Sequence, residues 1–351
     1  MAGRCRWLLL TAAWAIACAA PASPSANSSQ RPPTRPLHRG PLTDFISPAG
    51  LRWLLLLKPR QLLASAELGQ AISEIIPSSR FDAFAESSGV DLRLLQEAAI
   101  GGFPYSTLYL AELPNGVAGL ARARFEERLL AGAVRRQPCP GLTRITGVIG
   151  QTPETLLTVD ERVLAISVGD PVPAKIAEAY AQDRLPRSPP ALRGAALGTL
   201  PALADESVAV LFAPGPFTDE WQRAAGGLLR SATALAISVQ PGAQGKLATT
   251  IYLAGAWQDS ADDAARRLDA AWSTFARSSA GHLFELNEVA EVSAESNLLR
   301  LHVELELAGL VRGLRASVLA DLQQILTLPP RLPKSAPEKP GLSEVPPKKL
   351  P

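Results

Sequence analysis

The chain has 351 residues, with 35 Lys and Arg against 33 Asp and Glu, 47% hydrophobic residues, three Cys and three His. That length suits one large or two medium domains, while three Cys exclude a disulfide framework and three His exclude a histidine-rich metal site. Residues 1–41 sum to +5 and residues 329–351 to +3, so residues 42–328 carry 2 − 8 = −6, which excludes the basic face that nucleic-acid binding requires.

Met1 to Arg6 holds two positive charges, and Trp7 to Ala17 is an uncharged, largely apolar stretch of eleven residues. A charged start, a short apolar run and small residues behind it make a secretory leader over residues 1–17. As a helix that run rises ~16 Å, about half of a ~30 Å hydrocarbon core, which is too short for a permanent span. The leader ends Ala15-Ile16-Ala17-Cys18. This resembles a bacterial lipoprotein signal, in which small residues precede a Cys that becomes acylated and then the new N-terminus. Ala15 stands where that signal usually has Leu. The resemblance implies lipidation at Cys18 and, with Ala19 following, outer-membrane sorting. The partners expected are therefore the membrane, through an N-terminal lipid, and an envelope protein. Ala15-Ile16-Ala17 and Ala20-Pro21-Ala22 are also ordinary cleavage sites, and their use would give a soluble secreted chain.

Residues 18–41 form a Pro-, Ser- and Arg-rich stretch, expected to be a tether. Leu51–Lys58 then reads as an apolar strand stopped by Pro59, followed by a helix with Leu62, Ala66, Gly69, Ile72 and Ile76 on one face. Further helical pieces are expected over Phe81–Ala99, broken at Gly89. Pro114-Asn115-Gly116 predicts a tight hairpin between Thr107–Leu113 and Val117–Phe125, because Asn-Gly supplies the positive φ that such turns require. A helix near Glu126–Val134, strands near 142–149, 155–159 and 163–168, and a helix near 172–183 complete this first set.

The Pro-rich stretch 185–206 reads as a connection. Beyond it come a strand at Ser207–Ala213, a helix near 218–231, and a hairpin of Ala234–Val239 with Leu247–Ala254 across Pro241-Gly242. Ala261, Ala265, Leu268, Trp272 and Phe275 then fall on one helical stripe, with Ser260 and Asp263 suited to its cap and Asp262–Arg266 and Asp263–Arg267 at ion-pair spacing. A strand near 286–294 precedes a strict alternation from Leu299 to Leu307. The last helix places Leu310, Leu314, Val318, Leu322 and Ile325 on one face, and residues 329–351 form a Pro- and Lys-rich tail expected to be disordered.

The expected fold is therefore α+β, with two consecutive repeats of β-α-hairpin-α-strands-α over 42–184 and 207–328 and mostly antiparallel sheets backed by helices. In outline, and in Gly89-Val90-Asp91-Leu92 after a helix, the chain resembles an uncharacterised group of exported bacterial α+β repeat proteins. That group has no established activity to carry over.

Phosphate loops and serine-nucleophile motifs are missing from the sequence: Gly242-Ala-Gln-Gly245-Lys246 has the wrong spacing and lies between two strands. His302 sits on the polar side of its strand, and His282 lies just after a helix, where the dipole favours an imidazole. Cys139, between Pro138 and Pro140, has no neighbouring base to lower its pKa. No metal-ligand spacing, cofactor motif or catalytic constellation is present. The leading expectation is a non-enzymatic exported lipoprotein acting by protein or envelope contact in the periplasm or at the outer membrane. A carrier of a hydrophobic ligand is the alternative, and a hydrolase without a recognisable motif, using His282 and a core carboxylate, is the second.

Overall fold

The computed structural model describes residues 36–223, 225–295 and 297–327. The leader, Cys18, most of the expected tether and the C-terminal tail lie outside them. The fold is α+β, as expected, and it is built on one antiparallel sheet of twelve strands. The first half contributes β1 (Trp53–Leu57), helices α1 (Pro59–Ala64), α2 (Ala66–Ile75) and α3 (Ser78–Ser88), the hairpin β2 (Ala98–Phe103) and β3 (Ser106–Glu112), and α4 (Val117–Arg128). Strands β4 (Ala131–Cys139), β5 (Leu142–Ile149), β6 (Thr152–Val159) and β7 (Val163–Gly169) follow, and then α5 (Val172–Ala181). After α6 (Leu203–Glu206), the second half contributes β8 (Ala209–Pro214), α7 (Asp219–Arg223), the hairpin β9 (Ala232–Pro241) and β10 (Lys246–Gly255), α8 (Ala261–Ala276) and α9 (Ser279–Leu283). Strands β11 (Glu291–Glu295) and β12 (Leu298–Glu306) and helix α10 (Leu307–Thr327) end it.

A seam between β1 and β8 joins the halves, with Leu54 opposite Phe212 and Leu57 opposite Ala209. Outward from that seam the strands run β1-β2-β3-β7-β6-β5-β4 on one side and β8-β9-β10-β12-β11 on the other. Because side chains alternate across a strand, the sheet has two apolar faces near the seam. Leu54, Leu108, Leu157 and Phe212 face one way and pack with Phe45, Ile46 and the Ala177 and Ala181 positions of α5. The opposite face carries α1–α4 over the first half and α8 over the second.

The Pro-rich stretch 185–206 is folded into short 3-10 turns whose Ala191, Leu197 and Leu200 join the first of these cores. Residues 36–41, expected to belong to the tether, are also docked. His38 N–H donates to the Ala181 carbonyl at 2.9 Å. Asp44, 2% exposed, accepts from His38 Nε2 at 2.7 Å and from Arg193 at 2.6 Å, so a buried carboxylate ties the entering chain to the Pro-rich stretch. On the same face Glu178 of α5, also buried, pairs with Arg144 of β5 and with Arg184.

Several local expectations are corrected. Pro114-Asn115-Gly116 does not close a hairpin: Gly116, at φ 81°, precedes helix α4, and the hairpin partner of β3 is β2 across the turn at 104–105. Val117–Phe125, expected as a strand after the Asn-Gly turn, is helical, and its buried positions Ala118, Ala121 and Phe125 have helical spacing. The helix expected near 126–134 ends at Arg128, and residues 131–139 form edge strand β4. The single helix expected over 62–76 is two, kinked at Ser65, where Gly69 passes so close to the Leu63 carbonyl that a Cβ would lie 2.5 Å from it. Helix α8 forms where its stripe was expected, but its buried positions are Ala264, Leu268, Trp272 and Ala276, and Phe275 is 47% exposed. Ser260 Oγ bonds the Trp257 carbonyl instead of capping, and Arg266 pairs with Asp263 at 3.4 Å. The strand expected near 286–294 starts only at Glu291. Helix α10 packs through Gly309 and Gly313 against the Leu283–Glu285 backbone, leaving Leu314 43% exposed.

Candidate functional site

Between the first half of the sheet and its helices lies a cavity of about 720 Å³. Its floor is the upper face of β2, β3, β7 and β6. There Ala98 pairs with Ala111 and Tyr109 with Ile166, and Leu156 lies beside Ile166 on the far side. The Ala–Ala pair keeps the floor low where larger residues would have filled the space. The roof is made by Leu62 and Leu63 of α1, Ile72 of α2 with Ile76 just beyond its end, and Phe81 and Phe84 of α3. Phe125 of α4 closes one side.

The roof is lightly held. Neither α1 nor α3 contains a buried residue, and α2 contributes only Leu68 and Ala71 to the interior. Four lining residues remain exposed, Ile76, Phe84, Tyr109 and Arg128, and they mark the mouth. The Gly89-Val90-Asp91-Leu92 motif gets a local explanation here. Gly89, at φ 75°, ends α3 in the left-handed conformation, and its missing Cβ would sit 3.0 Å from the Ala121 backbone. Asp91 then accepts from the Arg93 backbone N–H at 3.0 Å and caps the following turn. The guanidinium of Arg93, hydrogen-bonded to the Asp91 side chain, holds that carboxyl below its usual range. The motif thus shapes the turn beside the cavity, lined there by Val90 and Leu92.

Of 26 lining residues, four carry polar side-chain atoms: Ser88, Tyr109, Arg128 and Glu154. Ser88 Oγ is already committed, donating to the Phe84 carbonyl at 2.7 Å and accepting from Val90 N–H at 3.1 Å. Glu154, on β6, is half-buried, and burial pushes its carboxyl above the usual 4.5 despite the opposing pull of Arg128. The guanidinium of Arg128 lies 5.9 Å from the centre of the Phe125 ring. A cavity walled by carbon gives water few hydrogen-bond partners, whereas an apolar molecule gains the full benefit of burial there.

The residues singled out in the sequence are not brought together. His302 bonds Thr250 at 2.9 Å on β12, and His282 is exposed on α9; neither lines this cavity. Cys139 is half-buried at the end of β4, with Gln182 Nε2 3.7 Å from its sulfur. A second cavity of about 370 Å³, lined by Leu42, Lys58, Arg193 and Ser207 among others, lies near the docked N-terminal segment and is also free of both histidines. Among the described residues no cluster of His, Cys, Asp and Glu could hold a metal ion, and no helix is long and apolar enough to cross a membrane.

Sequence reasoning missed the cavity because its signal is spread thinly. The apolar residues of α2 and α3 read as an ordinary core face, and nothing in their spacing shows that the sheet stands too far away to fill them. Comparison with protein-family models, with curated proteins and with solved structures finds no match, so no activity is borrowed from a relative.

Proposed function

We propose that this protein is a non-enzymatic carrier of an apolar ligand, held between the first half of the sheet and helices α1–α4. The observation that carries this reading is the 720 Å³ cavity, in which 22 of 26 lining residues have no polar side-chain atom. Burying a chain there contributes ~0.8 kcal/mol per methylene. The lightly packed roof supports the reading, since a ligand reaching such a cavity needs a wall that opens at small cost. Exported placement belongs to the same proposal, supported by the leader and by Cys18. The two halves are read as repeats of one unit because the first four strands outward from the seam follow the same order, β1-β2-β3-β7 and β8-β9-β10-β12, although one half has seven strands and the other five.

Protein isolated under non-denaturing conditions, extracted with organic solvent and analysed by mass spectrometry should release about one apolar molecule per chain. Finding none, together with no saturable uptake of a fluorescent apolar probe, would remove the carrier reading. The anchor is tested separately. Replacing the acceptor thiol by Cys18→Ser should move the chain from the membrane fraction to the soluble one without changing its cavity, and an unmodified mature N-terminus by intact mass would end that part of the proposal.

A further inference from the structure

Helix α4 carries three arginines that face different surroundings. Arg122 pairs with Glu161 at 2.7 Å, and Arg124 pairs with Glu127 at 2.8 Å. Arg128, one turn further on and at the cavity mouth, has no acidic partner within 4 Å and no hydrogen bond among the described residues. Its place against Phe125 holds the guanidinium at the edge of an apolar space. Tyr109, also at the mouth, has a hydroxyl that is likewise uncommitted among the described residues. The polar capacity left unused is therefore one cation, one hydroxyl and the Glu154 carboxyl, all on the boundary between carbon-lined space and water.

From this arrangement we infer that the carried ligand is a single-chain amphiphile whose head is one carboxylate, paired with Arg128 while the chain lies under α2 and α3. This rests on the carrier reading above and adds the chemical class of the ligand. An arginine fork meets a carboxylate with two parallel N–H···O bonds, and such charge-assisted contacts are the strong ones. The head sits at the mouth, so its charge keeps part of its hydration and escapes the cost of full burial. A phosphate head fits less well, because its second charge has no second cation among the lining residues and meets Glu154 as a like charge. Glu154 is less of an obstacle to a monoanion. It opposes one negative charge there instead of two, and burial, which raises its pKa, weakens that opposition.

The test is displacement of a fluorescent apolar probe from the full chain by hexadecanoate, hexadecanol and hexadecyl phosphate, in wild type and three variants. Wild type should prefer hexadecanoate to both other probes. Arg128→Gln should weaken hexadecanoate ~10-fold and leave hexadecanol within about twofold. Arg128→Lys should restore part of the loss, and Glu154→Gln should tighten hexadecanoate, since the amide cannot become a competing anion. Equal weakening of acid and alcohol by Arg128→Gln, or preference of wild type for the alcohol or the phosphate, would overturn the head-group inference and leave the carrier reading standing. Failure of all three to displace the probe, with no probe uptake at all, would overturn both.

Discussion

Beneath α8 the sheet is met by Leu268 and Trp272, with Trp257 and Phe217 closing the flanks, and all four are at most 8% exposed. Beneath α3 the corresponding face meets Phe81 and Phe84, and Phe84 is 43% exposed. Both helices lie over the same sheet and carry aromatic residues on the inward side. Two indole N–H groups of the second half are satisfied inside the fold, Trp272 by the Asn287 carbonyl at 2.9 Å and Trp257 by the Leu253 carbonyl at 3.1 Å. Large rings fixed by internal hydrogen bonds fill the space between layers there. In the first half the floor is cut down to Ala98 and Ala111, and the roof residues reach only part of the way. One half is filled and the other is kept open, so stability and binding are expected to separate between them.

The sharpest way to break this comparison is by truncation. Trp272→Ala should destabilise the chain by ~3–5 kcal/mol, because it removes a ring from close packing and orphans the Asn287 carbonyl. Phe84→Ala, on the open side, should cost under ~1 kcal/mol while weakening uptake of an apolar probe. Denaturant titration followed by far-UV dichroism, with binding measured on the same samples, checks both. Equal losses of stability would mean that the first half is as tightly packed as the second. Enlargement gives the converse. Ala264→Leu, at a position 3% exposed under α8, should cost ~1–3 kcal/mol by overpacking. Ala111→Leu projects into the cavity and should be neutral or stabilising by the same titration, while it abolishes or reduces uptake.

The smallest expected effect is on the pH dependence of the unliganded protein. Glu154 has a folded-state pKa raised above 4.5 by burial, so the folded chain binds more protons than the unfolded one just above that value. Its contribution therefore declines as pH rises through the window from 4.5 to the folded pKa, and Glu154→Gln flattens that slope. Glu285, in the second half, has its pKa lowered below 4.5 by hydrogen bonding to Arg312. Its contribution is present above 4.5 and is lost as pH falls through the folded value. Stability curves of Glu154→Gln and Glu285→Gln against pH should depart from wild type on opposite sides of pH 4.5, and departure on the same side would contradict these environments.

Where side-chain pattern and burial agree, the elements were legible. The alternation from Leu299 to Glu306 became β12, with Leu299, Leu301 and Val303 buried, and the helix expected around Leu268 and Trp272 became α8 with both of them buried. Where a segment borrows its conformation from neighbours, the reading failed. Ala131–Cys139 holds few residues that favour strands, and it is extended because β5 offers it a partner. Val117–Phe125 reads as a strand from the Asn-Gly turn before it, but a helix sets Ala118, Ala121 and Phe125 against the sheet. Of the site, the apolar residues were visible and their separation was not. Arg128 was one of 28 arginines in a chain with a general bias toward that residue, and only its position beside Phe125 and Glu154 distinguishes it.

The seam between β1 and β8 also sets a timetable. Leu54 and Phe212 are 212 − 54 = 158 positions apart in the chain, so β1 is made long before its central partner exists. At ordinary synthesis speeds that interval is ~8–30 s. During it the Trp53–Leu57 edge, with four consecutive leucines and unpaired backbone groups on one side, is a template for pairing with any other nascent strand. A first half released alone would keep that edge open permanently. By pairing with β1, the second half covers that edge as well as anchoring its own helices.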